Sequence, residues 1–170
     1  GPIAVLINNA GIQQRAPLED LTDEQWQAVI DVNLSGVFIV TRRVVQGMIE
    51  REQGAIVNIS SLNAEGARPT IGNYCATKGG LEALTRSMAT EWGQYNIRAN
   101  AIAPGYFVTD LTRPLVEDAE FDAWVKGNVP LGRWGDPSEL VGTAIFLASP
   151  AASYITGRVI SIDGGWRASL

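Results

Sequence analysis

The chain has 170 residues, 46% of them apolar and 18% charged, which is typical of one globular domain and not of a disordered segment. Its net charge of −5 argues against a nucleic-acid or anionic-membrane partner, and the absence of histidine argues against a zinc site or a serine triad, so no metal is expected. The single cysteine, Cys75, excludes an internal disulfide, and without a signal peptide or a long apolar run we expect a cytoplasmic protein.

Apolar and amphipathic segments alternate along the chain. Short apolar runs predict strands over residues 3–8, 55–60, 97–103 and 159–162. This order predicts a parallel sheet whose strands are joined by right-handed crossovers, with helices on both faces. The first strand is nearly all aliphatic, which is the pattern of a strand buried on both faces.

Helical periodicity predicts two long helices, over residues 22–49 and 73–92. Thr22 and Gln25 are spaced to form a capping box at the start of the first. Asp136 is placed to cap a later helix, with Pro137 at its first position and Glu139 at its third. Residues 109–127 are predicted to form a mobile helical segment that Pro114 breaks.

A tyrosine and a lysine lie four residues apart on the second long helix, so Tyr74 and Lys78 share a face. Ser61 follows the second predicted strand, thirteen residues upstream of Tyr74. A nearby ammonium would lower the phenol pKa toward neutral pH, where a general acid–base is most effective. The pair by itself is also compatible with two residues that share a face by chance.

The order of motifs resembles the short-chain dehydrogenase/reductase family over practically the whole chain. The matching residues are Asn8-Asn9-Ala10-Gly11, Asn33, Ser61, Tyr74 with Lys78, Pro104-Gly105 with Thr109, and Asp163-Gly164-Gly165. The resemblance implies the C-terminal half of a Rossmann-like, doubly wound α/β fold with about four parallel strands. It also implies a nicotinamide cofactor, NAD or NADP, and reversible hydride transfer between a secondary alcohol and a ketone.

Several further segments resemble the gluconate 5-dehydrogenase branch of that family, which implies gluconate or 5-ketogluconate as the substrate. These segments are residues 11–17, 103–107, 115–118 and 132–137. The chain departs from the branch after its Asn-Asn-Ala-Gly motif, where two arginines and a histidine are common and only Arg15 is present. Because an anionic sugar acid is best bound by a cation, Arg15 is the candidate with a charge argument.

The resemblance also implies roles for individual residues. Tyr74 would exchange a proton with the substrate oxygen, Lys78 would lower the phenol pKa and bind the nicotinamide ribose, and Ser61 would hold the carbonyl. Asn33 would organise a water beside Lys78. The cofactor-binding residues implied are Asn8, Ala10, Gly11, Tyr74, Lys78, Pro104, Gly105, Phe107 and Thr109. The substrate-binding residues implied are Arg15, Ser61, Asn63 and Tyr74, with Glu65 and Arg133 as further candidates.

One expected element has no counterpart in the sequence. Members of the family begin with a glycine-rich turn that cradles the cofactor pyrophosphate, and no G-x-x-x-G-x-G occurs here. We therefore interpret residues 1–170 as a single truncated domain without the first βαβαβ unit, and we expect its binding of NAD or NADP to be weakened or lost. A fragment of a longer product, a shortened gene and a deliberately shortened chain are equally compatible with this interpretation.

The first strand would lie at the edge of such a sheet, where its unpaired backbone groups invite pairing with a second chain. We therefore expect a homo-oligomer that associates through residues 3–8, in addition to any surface formed by the two long helices. A second hypothesis follows, in which the chain is a catalytically silent fragment that acts only as a self-associating or binding module.

Overall fold

Four parallel strands form the centre of the computed structural model, which describes residues 1–169. Their order in the sheet is the order in the chain: β1 (Val5–Asn8), β2 (Gly54–Ile59), β3 (Ile97–Pro104) and β4 (Val159–Ile162). The register pairs Asn8 with Asn58 and Asn58 with Ala101. The predicted α/β class and the parallel sheet are confirmed, and the strand boundaries differ from the prediction by two residues at most.

The helices alternate with these strands. Their bounds are α1 (Asp23–Ile30), α2 (Gly36–Glu50), α3 (Gly72–Trp92), α4 (Arg113–Val116), α5 (Ala119–Asn128) and α6 (Val141–Ala148). A single π-helical turn over Asp31–Ser35 joins α1 to α2, so the two form the one long helix that the sequence predicts. Such turns are rare and often mark functional sites, and this one contains Asn33.

Local capping signals start two of the helical segments as predicted. The Thr22 hydroxyl accepts a hydrogen bond from the Gln25 backbone, while the Gln25 side chain accepts one from the Thr22 backbone. Asp136 and Glu139 form the same reciprocal pair at the short 3₁₀ turn that leads into α6.

The predicted break at Pro114 is wrong. Pro114 lies at the second position of α4, where its missing N–H and fixed φ favour the start of a helix. The segment is interrupted later, at residues 117–118. Asp118 leaves the helical conformation there and caps α5 by accepting hydrogen bonds from the backbone of Glu120 and Phe121.

Apolar side chains fill both faces of the sheet. On one face α2 and α3 cover the sheet through Val45, Met48, Ile56, Met88, Ala89, Ile97 and Ala99. On the other face α6 covers Val57 and Ile102 with Leu147. On the long helix formed by α1 and α2, Val45 and Met48 are therefore core residues, whereas Phe38 is 45% exposed and free for a surface between copies of the chain.

Strand β1 lies at the edge of the sheet, as the sequence predicts. Its outward-facing side chains are substantially exposed, with values of 39% for Val5 and 47% for Ile7. None of the helices formed by residues 1–169 combines the length and apolarity that a membrane crossing requires.

Candidate active site

The carboxyl ends of the parallel strands meet at one edge of the sheet, which is where ligands bind in open α/β sheets. Two adjoining clefts lie there. The inner cleft is lined by residues that include Asn9, Gly11, Ser61, Tyr74, Lys78, Pro104, Gly105, Phe107 and Thr109. The outer cleft shares Ser61 and Tyr74 with it and extends over Gln13, Arg15, Asn63, Arg68, Ile71 and Tyr106.

Helix α3 carries Tyr74 and Lys78 into this region, one turn apart. The Lys78 side chain is buried, and its amine donates a hydrogen bond of 2.7 Å to the Ile59 carbonyl at the end of β2. The same amine lies 5.5 Å from the centroid of the Tyr74 ring. Ser61 lies two residues beyond the end of β2, and its hydroxyl accepts a hydrogen bond from the Asn63 backbone. The phenol, the amine and the hydroxyl thus line one cleft.

Burial raises the pKa of Tyr74 above its usual value of 10.0, and the hydrogen bond with the Ser61 hydroxyl opposes this rise. The expected lowering of the phenol pKa toward neutral pH is therefore not seen, and the contribution expected from Lys78 stays a prediction. The physical reason is that desolvation disfavours the charged phenolate more than its neighbours stabilise it. At neutral pH the phenol is protonated and is a proton donor.

Burial also acts on the amine. Desolvation lowers the pKa of Lys78 from 10.5 to about 8, so the side chain still carries a positive charge at neutral pH. Its hydrogen bond to the Ile59 carbonyl does not depend on that charge, because a neutral amine also donates. Lys78 therefore supplies a buried cation that only moderate alkalinity would neutralise.

Asn33 connects the π-helical turn to the motif after β1 and to α3. Its amide exchanges two hydrogen bonds with the backbone of Ile12, at 2.8 and 2.9 Å, and donates a third to the Thr77 hydroxyl at 3.3 Å. The side chain is completely buried. Asn33 holds the start of the inner cleft against α3, and its predicted organisation of a water beside Lys78 stays a prediction.

The structure places two of the predicted cofactor residues outside both clefts. The Asn8 amide donates hydrogen bonds to Thr41 at 3.0 Å and to Asn58 at 2.8 Å, so it belongs to the core. Ala10 is exposed and lines neither cleft. Asn9 lines the inner cleft instead, and no feature of the sequence distinguishes it from Asn8.

Four of the six substrate candidates, Ser61 and Tyr74 among them, line the outer cleft, and two do not. Arg15 and Asn63 line it, and the Asn63 Oδ1 atom is buried without a hydrogen-bond partner from residues 1–169. Arg133 forms a bidentate ion pair with Glu139, at 2.7 and 2.8 Å, outside this cleft. Glu65 lies 3.4 Å from Arg167 and also faces away.

Sequence reasoning missed Arg68 and Tyr106 as lining residues of the outer cleft. The Arg68 guanidinium donates a hydrogen bond of 2.8 Å to the Tyr106 hydroxyl. In the sequence, Arg68 is an arginine in a predicted loop. Tyr106 is part of residues 103–107, which resemble the gluconate 5-dehydrogenase branch. A local pattern cannot show that two loops so far apart in the chain meet.

The donor set of the inner cleft fits the nicotinamide half of a dinucleotide. It offers the Lys78 amine, the Thr109 hydroxyl and the polar Asn9 side chain, with the Phe107 ring as an apolar wall. That ring presses on Gly135, where any added Cβ would approach a ring carbon to 2.6 Å. In the part of the chain that the structure describes, no three His, Cys, Asp or Glu side chains gather in a way that could hold a metal ion.

The lowered pKa of Lys78 predicts a specific dependence of stability on pH. Between about pH 8 and 10.5 the unfolded chain keeps the Lys78 proton that the folded chain has lost, so raising the pH stabilises the folded state. Relative to Lys78→Met, the unaltered chain should gain about 2 kcal/mol in free energy of unfolding across this window.

Urea denaturation at several pH values from 8 to 10 measures this difference. The variant serves as the control for every other titrating group. Identical pH profiles for the two proteins would contradict the prediction.

Comparison with known proteins agrees with this geometry. A family model described as enoyl-(acyl carrier protein) reductase matches residues 1–167. Gluconate 5-dehydrogenase from Gluconobacter oxydans is 49% identical over 170 residues, which is 100% of this chain and 66% of that protein. The 5-keto-D-gluconate 5-reductase of Escherichia coli K12 is 47% identical over 165 residues, which is 97% of this chain and 65% of that protein.

A solved structure shows the same arrangement of the backbone. The gluconate 5-dehydrogenase from Burkholderia cenocepacia J2315, crystallised in complex with NADP and tartrate, is 49% identical and superposes with a TM-score of 0.99. The match covers 100% of this chain and 67% of that chain. The family model matches residues 1–167 of the 170 in this chain, and the fold agrees with that of a solved relative. The chain therefore belongs to the short-chain dehydrogenase/reductase family.

Proposed function

We propose that residues 1–170 form one domain that carries the catalytic half of a nicotinamide-dependent oxidoreductase acting on a sugar acid such as gluconate or 5-ketogluconate. The observation that carries this proposal is the convergence of Tyr74, Lys78 and Ser61 on one cleft at the carboxyl ends of the strands. A phenol beside a buried amine and a hydroxyl is suited to moving a proton to or from a substrate oxygen.

The residues divide the chemistry between them. Nicotinamide, when bound in the inner cleft, supplies or accepts the hydride. Tyr74 Oη donates its proton to the carbonyl oxygen during reduction and takes it back during oxidation. The Ser61 hydroxyl holds that oxygen, and the Lys78 amine adds positive charge to the site. Because burial keeps the phenol protonated at neutral pH, the resting site is set to donate a proton to a ketone oxygen.

The charge of the outer cleft supports an acidic substrate. Arg15 lies within this cleft, which also contains Ser61 and Tyr74. The relatives named above act on gluconate or 5-ketogluconate, and the solved neighbour binds tartrate, a dicarboxylate. Guanidinium groups bind carboxylates through paired hydrogen bonds, so these observations favour a sugar acid over a neutral polyol.

The role of Tyr74 can be tested by substitution. Tyr74→Phe removes the transferable proton and should lower kcat/KM for 5-ketogluconate reduction by about 100-fold or more. The absorbance of the reduced nicotinamide, followed with NADH and with NADPH, measures the rate.

Tyr154→Phe is the matched control, because that side chain is fully exposed. It should leave the rate unchanged. Turnover that survives Tyr74→Phe would contradict the assigned role. Absence of turnover with both cofactors would favour the alternative of a catalytically silent binding module.

A further expectation concerns the cofactor. Because residues 1–170 contain no glycine-rich turn for a pyrophosphate, the adenylate half of the dinucleotide should add little to binding. Reduced nicotinamide mononucleotide and NADH should therefore differ in Kd by less than about tenfold.

Quenching of tryptophan fluorescence during titration with each nucleotide measures the two constants. NADH that binds far more tightly than the mononucleotide would show that this chain does hold the adenylate half, contrary to the expectation. NADPH is titrated in parallel, because no residue of the chain predicts a preference for either dinucleotide.

The exposed edge of the sheet supports self-association. The backbone groups of β1 pair with β2 on one side only, and Val5 and Ile7 project apolar surface there. We expect the chain to form homo-oligomers through this strand. A charged residue on an edge strand blocks strand pairing, so Ile7→Lys should shift the chain toward monomer.

Light scattering over a range of protein concentrations measures the mass. Ile145→Lys places the same charge on an exposed position of α6 and serves as the comparison. An unaltered chain that stays monomeric at high concentration would rule out this interface. Dissociation caused by Ile145→Lys alone would move the interface to α6.

A further inference from the structure

The outer cleft concentrates positive charge on an otherwise acidic chain. Its lining residues include two arginines, Arg15 and Arg68, and no aspartate or glutamate. The whole chain has a net charge of −5, so the outer cleft is opposite in charge to the chain as a whole. Ser61 and Tyr74 line the same cleft, so both cations lie beside the proton-transfer groups.

Aromatic rings, rather than carboxylates, hold Arg68 in place. Its guanidinium carbon lies 4.4 Å from the ring centroid of Phe121 and 4.5 Å from that of Trp124, both on α5. One nitrogen donates a hydrogen bond of 2.8 Å to the Tyr106 hydroxyl. Stacking of this kind fixes the plane of a guanidinium without neutralising it.

Tyr106 is itself fixed by its surroundings. Its ring is 91% buried, since its exposed fraction is 9%, and it meets four other aromatic rings edge to face. The centroid distances range from 5.2 Å for Trp166 to 6.0 Å for Phe121 and Trp124. The hydroxyl that receives the Arg68 hydrogen bond is therefore part of a rigid cluster.

Three acidic residues, Glu65, Asp118 and Glu120, lie close to Arg68 in the sequence or line a depression with it, and none forms an ion pair with it within residues 1–169. Asp118 caps α5 by accepting hydrogen bonds of 3.0 and 3.2 Å from backbone groups. Glu65 pairs with Arg167. Asp118 and Glu120 line a separate depression together with Arg68, Phe121 and Trp124, and neither lines the outer cleft.

The two arginines also act on each other. The pKa of Arg15 is lowered, first by desolvation and second by the charge of Arg68. Two positive charges in one cleft repel each other, and an anion bound between them would relieve the repulsion. Both the lining of the outer cleft and this repulsion favour an anionic ligand.

We propose that Arg15 and Arg68 form a two-arginine subsite that binds the carboxylate of an acidic substrate in the outer cleft, with Arg68 held by Tyr106, Phe121 and Trp124. This inference rests on the proposed function, because it assigns one end of the same substrate. Arg68 is a specificity-determining residue that touches the substrate away from the reacting carbon. The carboxylate lies against the two guanidinium groups, and the reacting carbon lies at Ser61 and Tyr74.

Isothermal titration calorimetry with D-gluconate and with D-glucitol, a neutral polyol of the same chain length, tests the subsite. The variants are Arg15→Gln, Arg68→Gln and Arg68→Lys, and Arg86→Gln is the control because that arginine is exposed on α3 and outside both clefts. Arg15→Gln and Arg68→Gln should each weaken gluconate binding by about tenfold or more, because each variant loses a charged hydrogen bond to the carboxylate. The gluconate affinity of Arg68→Lys should lie between those of Arg68→Gln and the unaltered chain, because lysine keeps the positive charge and lacks the planar guanidinium fork.

Binding of D-glucitol should be the same in all five proteins, which separates loss of the subsite from loss of the fold. Equal gluconate affinity in Arg68→Gln and the unaltered chain would overturn the proposal. Absence of gluconate binding, or equal affinity of the unaltered chain for gluconate and glucitol, would overturn it as well.

The assay of hydride transfer keeps this test separate from that of the proposed function. A chain that oxidises gluconate through Tyr74 but is indifferent to Arg68→Gln retains the proposed function and loses the subsite. A chain that binds gluconate through Arg68 but transfers no hydride retains the subsite and loses the proposed function.

Discussion

The hydrogen bond from the Lys78 amine to the Ile59 carbonyl joins the helix that carries Tyr74 to the end of the strand that precedes Ser61. Lys78 is buried, and burial disfavours a charged ammonium group. The hydrogen bond is kept because the surrounding core holds α3 against β2 and β3. The relative placement of phenol, amine and hydroxyl follows from this contact. The proton-transfer chemistry proposed for the inner cleft depends on this hydrogen bond.

Buried amides perform a similar function on the other side of the site. Asn33 ties the turn after β1 to α3, and Asn8 ties β1 itself to α2 and to Asn58 of β2. Asn58 in turn donates a hydrogen bond of 2.8 Å to the Thr85 hydroxyl. A buried amide is tolerated only when its partners are present, so these contacts specify one packing of strands and helices. The site therefore sits on a polar network as well as on an apolar core.

The sequence was sufficient for what depends on local spacing. The strands, the capping box at Thr22 and the shared face of Tyr74 and Lys78 follow from periodicity and side-chain chemistry. What depends on distant parts of the chain was not accessible. Asn8 points into the core because the register pairs it with Asn58, the phenol pKa rises because tertiary packing buries it, and Arg68 meets Phe121 only after α5 has folded over the loop.

The cluster of rings around Tyr106 has a spectroscopic consequence. Trp124, Trp134 and Trp166 all contact Tyr106, and the rings of Trp124 and Trp166 are tilted by 56° with centroids 5.1 Å apart. Indoles held at such an angle and distance couple their electronic transitions. We therefore expect this cluster to contribute to the near-ultraviolet circular dichroism of the chain, so that the signal reports the packing of α5 beside the outer cleft without any added label.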